Sequence, residues 1–393
     1  MIINVEKSLN KNKLSSNELL LSLINHSLKN SYSFALWKEP YSNDKNFIID
    51  TSNNLKKEKV SFRMKGFCFS PFQIENTNLS YILRPDFLML NNKVVNNNLD
   101  LNLIELLLED SLYKYTDKIN QEKFFEKCKK EDFIFLVNKV LAEIDNSNLN
   151  KVVISRIKEK KLPKNFSPLQ LFNLLCAKYN DSAFIYIFFS PELGFWLGAT
   201  PELLLGLENN KIKTMSLAST QSYYEGIDLE NIKWSDKEIE EQKYVSIYIK
   251  DALKKINVEN YSEVTRNIVA GSVIHLRTLF EFDSNKPNQY ASKLLKMINP
   301  TPAVLGTPVK EALSFILENE LHKREFYCGF LGPLNIEKNK SNLYVNLRCL
   351  QFYKDIAYLY VGAGILKGSI PEKEWMETEL KSQTLLSVIE SMI

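Results

Sequence analysis

The chain has 393 residues, of which 45% are apolar and 25% are charged, and its net charge at pH 7 is +3. This is the composition of a core-forming protein, and because the lysines form no basic stripe, we expect no nucleic acid partner. No apolar run is long enough to cross a bilayer and the N-terminus has no hydrophobic signal core, so we expect a cytoplasmic protein with no membrane partner.

The N-terminal third carries little recognisable chemistry. Helical apolar spacing predicts a helix over Leu19–Leu28, whereas Tyr32–Trp37 and Val60–Phe72 have the composition of strands. The asparagine-rich stretch Asn91–Asn98 predicts a polar loop. Because no long Gly/Ser or Pro-rich linker follows, we predict that this third belongs to the same α/β body as the rest of the chain.

A lysine stands at the start of the next predicted strand. A helix over Phe133–Asn146 precedes it, and the β-branched run in Leu149–Arg156 predicts a strand that Lys151 enters. A solvated lysine at a strand end is the commoner arrangement. The alternative is a lysine held in a cleft and kept partly neutral by desolvation, so that it can accept a proton.

A lone acid follows a predicted hairpin formed by Ala183–Ser190 and Gly194–Leu205. This acid, Glu202, lies directly after Pro201 and before an apolar run. It is either an edge charge or, if the run is buried, a carboxyl whose pKa is raised enough to donate a proton near neutral pH. In the second case Glu202 and Lys151 form a pair of acid and base.

Several residues have the properties of anion contacts. The strand Lys213–Leu217 ends in the small residues Ala218–Thr220, where backbone N–H groups can meet an anion. Arg348, after another predicted strand, can hold a carboxylate by two hydrogen bonds, with Tyr327 as a second donor. His275 follows a predicted strand as well, although a single histidine is more often structural.

The C-terminal helix carries two carboxylates and a lysine on one face. We predict a glycine turn at Gly362–Gly364 and a helix that Pro371 opens. On that helix Glu374 and Glu377 are spaced i, i+3, and Lys381 is i+4 from Glu377, so the three side chains share a face. Such a face is more often solvated, but two carboxylates can also hold a divalent cation such as Mg²⁺.

The same spacing occurs on a second helix. Ser235 can cap a helix on which Glu238 and Glu241 are again i, i+3. Two helices that each offer a carboxylate pair can hold one octahedral ion and leave positions for water and substrate. The repetition favours a Mg²⁺ site more strongly than either pair alone.

Taken together, these motifs resemble the chorismate-utilising enzymes, which include isochorismate, salicylate, anthranilate and aminodeoxychorismate synthases. The motifs occur in the family's order, over most of the C-terminal two thirds of the chain. They are Lys151–Arg156, Gly198–Glu202, Leu217–Thr220, Lys237–Glu241, His275–Leu276, Pro300–Pro302, Arg324–Gly329, Arg348, Gly362–Gly364 and Glu374–Lys381.

The resemblance implies an α+β fold in which two large antiparallel β-sheets pack together with helices on the outside. Residues 1–130 would be the N-terminal part of this body and residues 131–390 its chorismate-binding catalytic region. Mg²⁺ is the implied cofactor and chorismate the implied substrate. We expect a monomer, as is usual in this family.

The resemblance also assigns roles to the individual residues. Lys151 matches the base and Glu202 the acid. The four glutamates match the metal site: Glu241 and Glu377 as direct ligands, Glu238 and Glu374 partly through water. The residues that match substrate contacts are Ala218, Thr220, His275, Tyr327, Arg348, Gly362 and Lys381.

A lysine at position 151 is typical of the branches of the family that use water as the nucleophile. We therefore predict an isomerase, an isochorismate synthase in which Lys151 activates water at ring C2 and Glu202 protonates the leaving C4 hydroxyl. The alternatives are a salicylate synthase, which also expels pyruvate, and an ammonia-using component; Ala303 favours the isochorismate type over the salicylate type. Menaquinone biosynthesis is the expected pathway, with siderophore biosynthesis as the alternative.

The chain departs from the family pattern at three positions. Ser219 replaces a glycine, Gln242 stands where a histidine is common, and Ile239 stands where an arginine is common. The departures concern the surroundings of the site, since the carboxylates themselves are all present.

Overall fold

The computed structural model describes residues 16–72, 79–99, 101, 128–270 and 273–392. Within them the chain forms seven α-helices and two β-sheets. The helices are α1 (Ser16–Lys29), α2 (Lys130–Asn146), α3 (Pro168–Lys178), α4 (Asp236–Lys255), α5 (Pro287–Ile298), α6 (Val309–Asn319) and α7 (Pro371–Glu390).

The first sheet has ten strands among the described residues, and each is antiparallel to its neighbours. In spatial order these are β15 (Gly306–Thr307), β8 (Lys151–Lys161), β19 (Ile356–Leu366), β18 (Cys349–Tyr353), β10 (Gly194–Thr200), β9 (Phe184–Ser190), β1 (Ser33–Lys38), β2 (Asn46–Asp50), β6 (Phe87–Leu90) and β7 (Lys93–Asn97).

The second sheet has nine strands in the same part of the chain, again antiparallel. In spatial order these are β13 (Ser262–Ala270), β14 (Val273–Asp283), β12 (Lys211–Ser222), β11 (Leu203–Glu208), β17 (Lys340–Val345), β16 (Phe330–Leu334), β4 (Gly66–Ser70), β5 (Ser80–Leu83) and β3 (Lys56–Glu58). Strands from residues 33–97 thus join both sheets.

Aromatic side chains fill the space between the two sheets. The Phe69 ring of β4 stacks on the Phe188 ring of β9 with centroids 4.1 Å apart, and Phe184 stacks on Tyr344 of β17 at 4.3 Å. Each pair joins one sheet to the other. This inter-sheet layer is the main hydrophobic core, and such pairs stabilise it beyond the area they bury.

Helices cover the outer face of the first sheet. Along β1, Phe34 and Leu36 pack in a second core with residues of α1, α3 and α7, whereas Ala35 and Trp37 face the layer between the sheets. Successive side chains of a strand point to opposite faces, so β1 is buried on both. The predicted arrangement of two packed antiparallel sheets with helices outside is confirmed.

The helix predictions are confirmed, but four predictions for strands and turns are wrong. Only Gly66–Ser70 of the stretch Val60–Phe72 is a strand, and Asn91–Asn98 contains strand β7, which pairs with β6 after a turn. Gly362–Gly364 lies inside β19 instead of in a turn and pairs with Val153–Ser155 of β8. His275 lies within β14, opposite Thr220, and does not follow a strand.

Within the described residues no helix is both long and apolar enough to span a membrane. The boundary that we placed at residue 130 stays a prediction, as do the cytoplasmic location and the monomeric state.

Candidate active site

A cavity with about 80 Å³ of water-accessible space lies where the two sheets meet helices α4 and α7. Nine of the residues singled out from the sequence line it: Glu202, Ala218, Thr220, Glu241, His275, Tyr327, Arg348, Gly362 and Lys381. Residues from eight different segments of the chain therefore converge on one cavity.

Glu202 lies where the chain passes from the first sheet to the second, between β10 and β11. Its carbonyl oxygen accepts a hydrogen bond from Val345 N at 2.9 Å, while Thr200 Oγ1 donates to the carbonyl oxygen of Val345 at 2.6 Å. Glu202 is only 2% exposed, and this burial raises the pKa of its carboxyl to about 8, although Lys151 and Arg348 act in the opposite direction. The carboxyl therefore holds its proton at neutral pH, as expected for a buried acid.

His275 and Arg348 form one end of the cavity. The Nδ1 atom of His275 lies 2.9 Å from the carbonyl oxygen of Ser219, which can only accept, so Nδ1 carries the proton. Nε2 is then an acceptor and lies 3.4 Å from Arg348 Nη2. Burial, together with Arg348, lowers the pKa of His275 to about 3, so the imidazole is neutral and leaves the positive charge to Arg348.

Arg348 has an unused donor at this end. Its Nη1 atom is buried and has no hydrogen-bond partner among the described residues. Tyr327 lies close by in the cavity wall and is 4% exposed. A guanidinium whose buried Nη1 group is free, beside a phenol, is suited to bind a carboxylate.

Lys151 lies next to the cavity without lining it. The lysine is fully buried in β8, and its Nζ atom is 2.7 Å from Glu241 Oε1, which faces the cavity. A Cβ atom added at Gly364 would come within 2.9 Å of Lys151 Cε and 2.7 Å of Glu241 Oε1. The glycine in β19 is thus what gives this ion pair its space.

Helices α4 and α7 begin as the sequence predicts. Ser235 Oγ accepts a hydrogen bond from the backbone N of Glu238, and Glu238 Oε2 accepts one from the backbone N of Ser235, the reciprocal arrangement of a capping box. Pro371 opens α7 in its first turn. The caps fix the helix starts, and with them the positions of the two carboxylate pairs.

Lysines pair with three of the four predicted metal glutamates. Lys151 pairs with Glu241, Lys237 with Glu374 at 2.6 Å, and Lys381 with Glu377 at 2.5 Å. The fourth, Glu238, bonds Gln221 at 3.0 Å in addition to its cap. In the described part of the chain no three His, Cys, Asp or Glu side chains are grouped so as to hold a metal ion.

The chemistry of this donor set nevertheless fits Mg²⁺. All four groups are carboxylates, the oxygen ligands that hard divalent cations prefer. Glu374 is 2% exposed, and its Oε2 atom is buried without a hydrogen-bond partner among the described residues, so it retains coordinating capacity. In the structure, lysine ammonium groups neutralise three of the four carboxylates that would bind the cation. The Mg²⁺ site stays a prediction.

Further lining residues escaped the sequence reasoning. Val153, Pro201, Leu217, Cys328 and Tyr360 all face the cavity. Each is apolar or weakly polar and lies one or two positions from a predicted site residue. That short distance along the sequence was the only indication that they would line the cavity. Tyr360, two positions before Gly362 on β19, shares its face by strand alternation.

The structure gives the three departures a context. Gln242 donates to Ser216 Oγ at 2.7 Å and to Thr278 Oγ1 at 2.9 Å, so it fastens α4 to β12 and β14. Ile239 is 50% exposed on α4 and does not line the cavity. Ser219 lines the cavity at an irregularity of β12.

A family model described as "Chorismate binding enzyme" matches residues 10–390. The chain belongs to this family. The match includes every residue of the cavity and both helices of the carboxylate pairs, and it confirms the resemblance seen in the motifs.

Curated relatives cover about two thirds of the chain. The chloroplastic isochorismate synthase of Catharanthus roseus is 30% identical over 262 residues, which is 64% of this chain and 44% of that protein. The isochorismate synthase EntC of Escherichia coli (strain K12) is 30% identical over 261 residues, which is 64% of this chain and 66% of that protein. The match thus spans about half to two thirds of the length of these relatives.

Solved structures share the fold over nearly the whole chain. MenF, the menaquinone-specific isochorismate synthase from Escherichia coli, has a TM-score of 0.72 at 18% identity and covers 96% of this chain and 91% of its own. The putative 2,3-dihydroxybenzoate-specific isochorismate synthase DhbC from Bacillus anthracis has a TM-score of 0.70 at 20% identity and covers 94% of this chain and 99% of its own. At these identities the likeness concerns the fold.

Proposed function

We propose that this protein is an isochorismate synthase that converts chorismate to isochorismate with Mg²⁺ as cofactor. The observation that carries the proposal is Glu202, a buried carboxyl with a pKa of about 8 that faces a cavity also lined by Arg348 and Lys381. A protonated acid beside cationic groups is suited to expel a hydroxyl from an anionic substrate. The names of the curated relatives support the same reaction.

In the proposed complex Arg348 and Tyr327 bind the enolpyruvyl carboxylate. The free Nη1 donor of Arg348 gains an acceptor there, and the neutral His275 holds the guanidinium from its other side. The substrate's ring carboxylate lies toward α4 and α7. Glu241 and Glu377, with Glu238 and Glu374, would hold Mg²⁺ there, as the family resemblance implies. Magnesium, when bound, offsets the negative charge of that carboxylate.

Lys151 and Glu202 transfer the protons. Water attacks ring C2 and gives a proton to Lys151 in its neutral amine form. In the same step the ring double bonds shift and the C4–O bond breaks, with its electron pair leaving on the oxygen, so that the hydroxyl departs as water with the proton of Glu202. One water enters and one leaves, so the product is an isomer of the substrate and the enzyme is an isomerase.

Two other reactions of the family are the alternatives. A salicylate synthase also expels pyruvate, and an ammonia-using synthase needs a glutamine-hydrolysing partner. We favour water as the nucleophile because of Lys151, and we favour arrest at isochorismate because Ala303 stands in the cavity wall. Menaquinone biosynthesis is the pathway we propose, with siderophore biosynthesis as the alternative.

Two substitutions test the roles of acid and base. Lys151→Ala and Glu202→Gln are each expected to lower kcat by at least about a hundredfold, because each removes one proton transfer, while chorismate binding stays measurable by calorimetry. The matched controls are Lys160→Ala and Glu208→Gln. Lys160 lies on β8 with Lys151, and Glu208 ends β11, which begins directly after Glu202; neither control residue lines the cavity. Turnover near that of the unsubstituted protein in either test variant would contradict the assignment.

A further inference from the structure

Ser219 adopts a backbone conformation that is unfavourable for serine. It is the extra residue of a bulge in β12, because Ala218 pairs with Leu276 and Thr220 pairs with His275, which leaves Ser219 without a partner in β14. Its φ angle is +62°, and it is 2% exposed. Glycine adopts this left-handed region without steric cost, so a buried serine there calls for a compensating contact.

The serine makes two hydrogen bonds in opposite directions. Its carbonyl oxygen accepts the proton of His275 Nδ1 at 2.9 Å, which fixes the imidazole tautomer that faces Arg348. Its hydroxyl donates to the backbone carbonyl oxygen of Glu238. Glu238 is in the first turn of α4, three residues before Glu241.

Ser219 therefore joins the two charged ends of the cavity. The His275–Arg348 end lies on one side of it, and the α4 carboxylates lie on the other. The carbonyl contact needs only the bulge, which glycine would supply as well. The contact with α4 needs the hydroxyl, and glycine cannot supply it.

We propose that Ser219 is a positioning residue that holds the first turn of α4, and with it Glu238 and Glu241, at a fixed place relative to the His275–Arg348 end. The role of the carboxylates as Mg²⁺ ligands rests on the proposed function, whereas the tether itself does not. Where the family pattern has a glycine, which adopts this φ angle without strain, this chain has a strained serine. The serine hydroxyl forms a hydrogen bond between β12 and α4 that glycine cannot form.

Two variants separate the hydroxyl from the backbone strain. Ser219→Ala removes the hydroxyl and keeps the unfavourable φ, whereas Ser219→Gly removes both. Thr214→Val is the matched control, because Thr214 is a buried residue of the same strand whose hydroxyl also donates to a backbone carbonyl oxygen, that of Leu204 in β11 at 2.7 Å instead of one in α4.

The first measurement is amide hydrogen exchange of the metal-free protein followed by mass spectrometry. Faster exchange is expected over residues 236–242 in both Ser219 variants, with the C-terminal half of α4 unchanged, because only the first turn loses its tether. Unchanged exchange over residues 236–242 in both variants would overturn the proposal. An effect of equal size in Thr214→Val would also overturn it.

The second measurement is Mg²⁺ affinity by calorimetry beside the melting temperature. Both Ser219 variants are expected to bind Mg²⁺ roughly three- to tenfold more weakly, the range of one hydrogen bond. Ser219→Gly is expected to melt higher than Ser219→Ala. If Ser219 contributed only to stability, Ser219→Ala would lose Mg²⁺ affinity and stability together. Ser219→Gly would then keep the Mg²⁺ affinity of the unsubstituted protein, and this result would overturn the proposal.

The two proposals fail in different ways. If the unsubstituted protein does not convert chorismate but the exchange changes occur as described, the proposed function fails and the tether stands. If turnover is present and residues 236–242 exchange unchanged in the variants, the tether fails and the function stands.

Discussion

The Nζ atom of Lys151 lies 2.7 Å from Glu241 Oε1, and this ion pair links strand β8 to helix α4 beside the cavity. One residue of the pair is the proposed base and the other a proposed metal ligand. The charge of Glu241 is therefore balanced by Lys151 in the metal-free protein, and the cation and the lysine compete for the same carboxylate.

Neutralising a proposed metal ligand is expected to weaken Mg²⁺ binding. Glu241→Gln and Glu377→Gln should each raise the Mg²⁺ dissociation constant at least about tenfold, since each removes a charged oxygen ligand. Calorimetric titration measures this directly. Glu240→Gln is the control, because Glu240 is the exposed neighbour on α4 and bonds only Tyr244 in the structure's described part; an equal effect of this control would argue against the assignment.

The pH dependence of turnover should reflect Glu202. Because its pKa is about 8 in the folded protein, kcat/KM is expected to fall as the pH rises through about 8 and the acid loses its proton. A profile that stays flat to well above that pH would contradict the role of Glu202 as the acid.

The stability of the fold should respond to the same group. Between the ordinary glutamate pKa of 4.5 and about 8, the folded protein holds a proton that the unfolded chain releases, so stability falls as pH rises through this window. Glu202→Gln removes this dependence. The melting temperature of the variant should therefore increase relative to that of the unsubstituted protein from about pH 5 to about pH 8.

His275 should remain neutral throughout the assay range. Its pKa of about 3 lies below the ordinary value of 6.5, so this side chain contributes stability that is lost as the pH falls from 6.5 toward 3. Nuclear magnetic resonance should show an imidazole signal that does not titrate near neutral pH. His275→Gln identifies the signal by its disappearance, and a titration midpoint near 6.5 would refute the lowered pKa.

Arg348 should control substrate affinity more than turnover. Arg348→Lys keeps the charge but loses the planar pair of donors, so the KM for chorismate is expected to rise roughly tenfold or more, the range of a charge-assisted hydrogen bond. Steady-state kinetics separates this from a loss in kcat. A KM within about twofold of that of the unsubstituted protein would place the substrate carboxylate elsewhere.

A buried arginine holds helix α7 against strand β8. Arg156 forms an ion pair with Glu379, donates to Thr378 Oγ1 at 2.9 Å, and lies 3.8 Å from the centre of the Trp375 ring. Arg156→Met is expected to lower the free energy of unfolding by about 1.5 to 3 kcal/mol, because it removes the charged hydrogen bonds to Thr378 and Glu379 and the contact with the Trp375 ring, although Glu379 keeps its ion pair with Lys158. Chemical denaturation measures the loss.

The control for Arg156 joins the same two elements at the surface. Lys160 pairs with Glu390 at 2.5 Å, and both side chains are partly exposed. Lys160→Met should therefore cost clearly less stability than Arg156→Met. Equal losses would mean that the buried contacts of Arg156 carry no special weight.

Local signals in the sequence located the helices of the site but not its sheets. Ser235 and Pro371 mark the starts of α4 and α7 by capping chemistry, which acts over a few residues and is readable from them. Strands such as β1 and β9 are buried on both faces, so they lack the alternation that reveals a register. The sheet architecture came from the order of the motifs instead.

The ion-pair partners of the charged residues could not be inferred from the sequence. Lys237 and Glu374 are 137 positions apart, and no periodicity relates them. The glycines of β19 were recognised as places of close approach, but the approaching groups are Tyr327, Lys151 and Glu241 across the strand, so no turn is needed there. Close packing of distant segments decided both outcomes.

The most direct test is to incubate the purified protein with chorismate and Mg²⁺, without ammonia or glutamine, and to resolve the products by chromatography. We predict that isochorismate forms and that EDTA abolishes its formation. Salicylate with pyruvate, or no conversion until ammonia is added, would contradict the account.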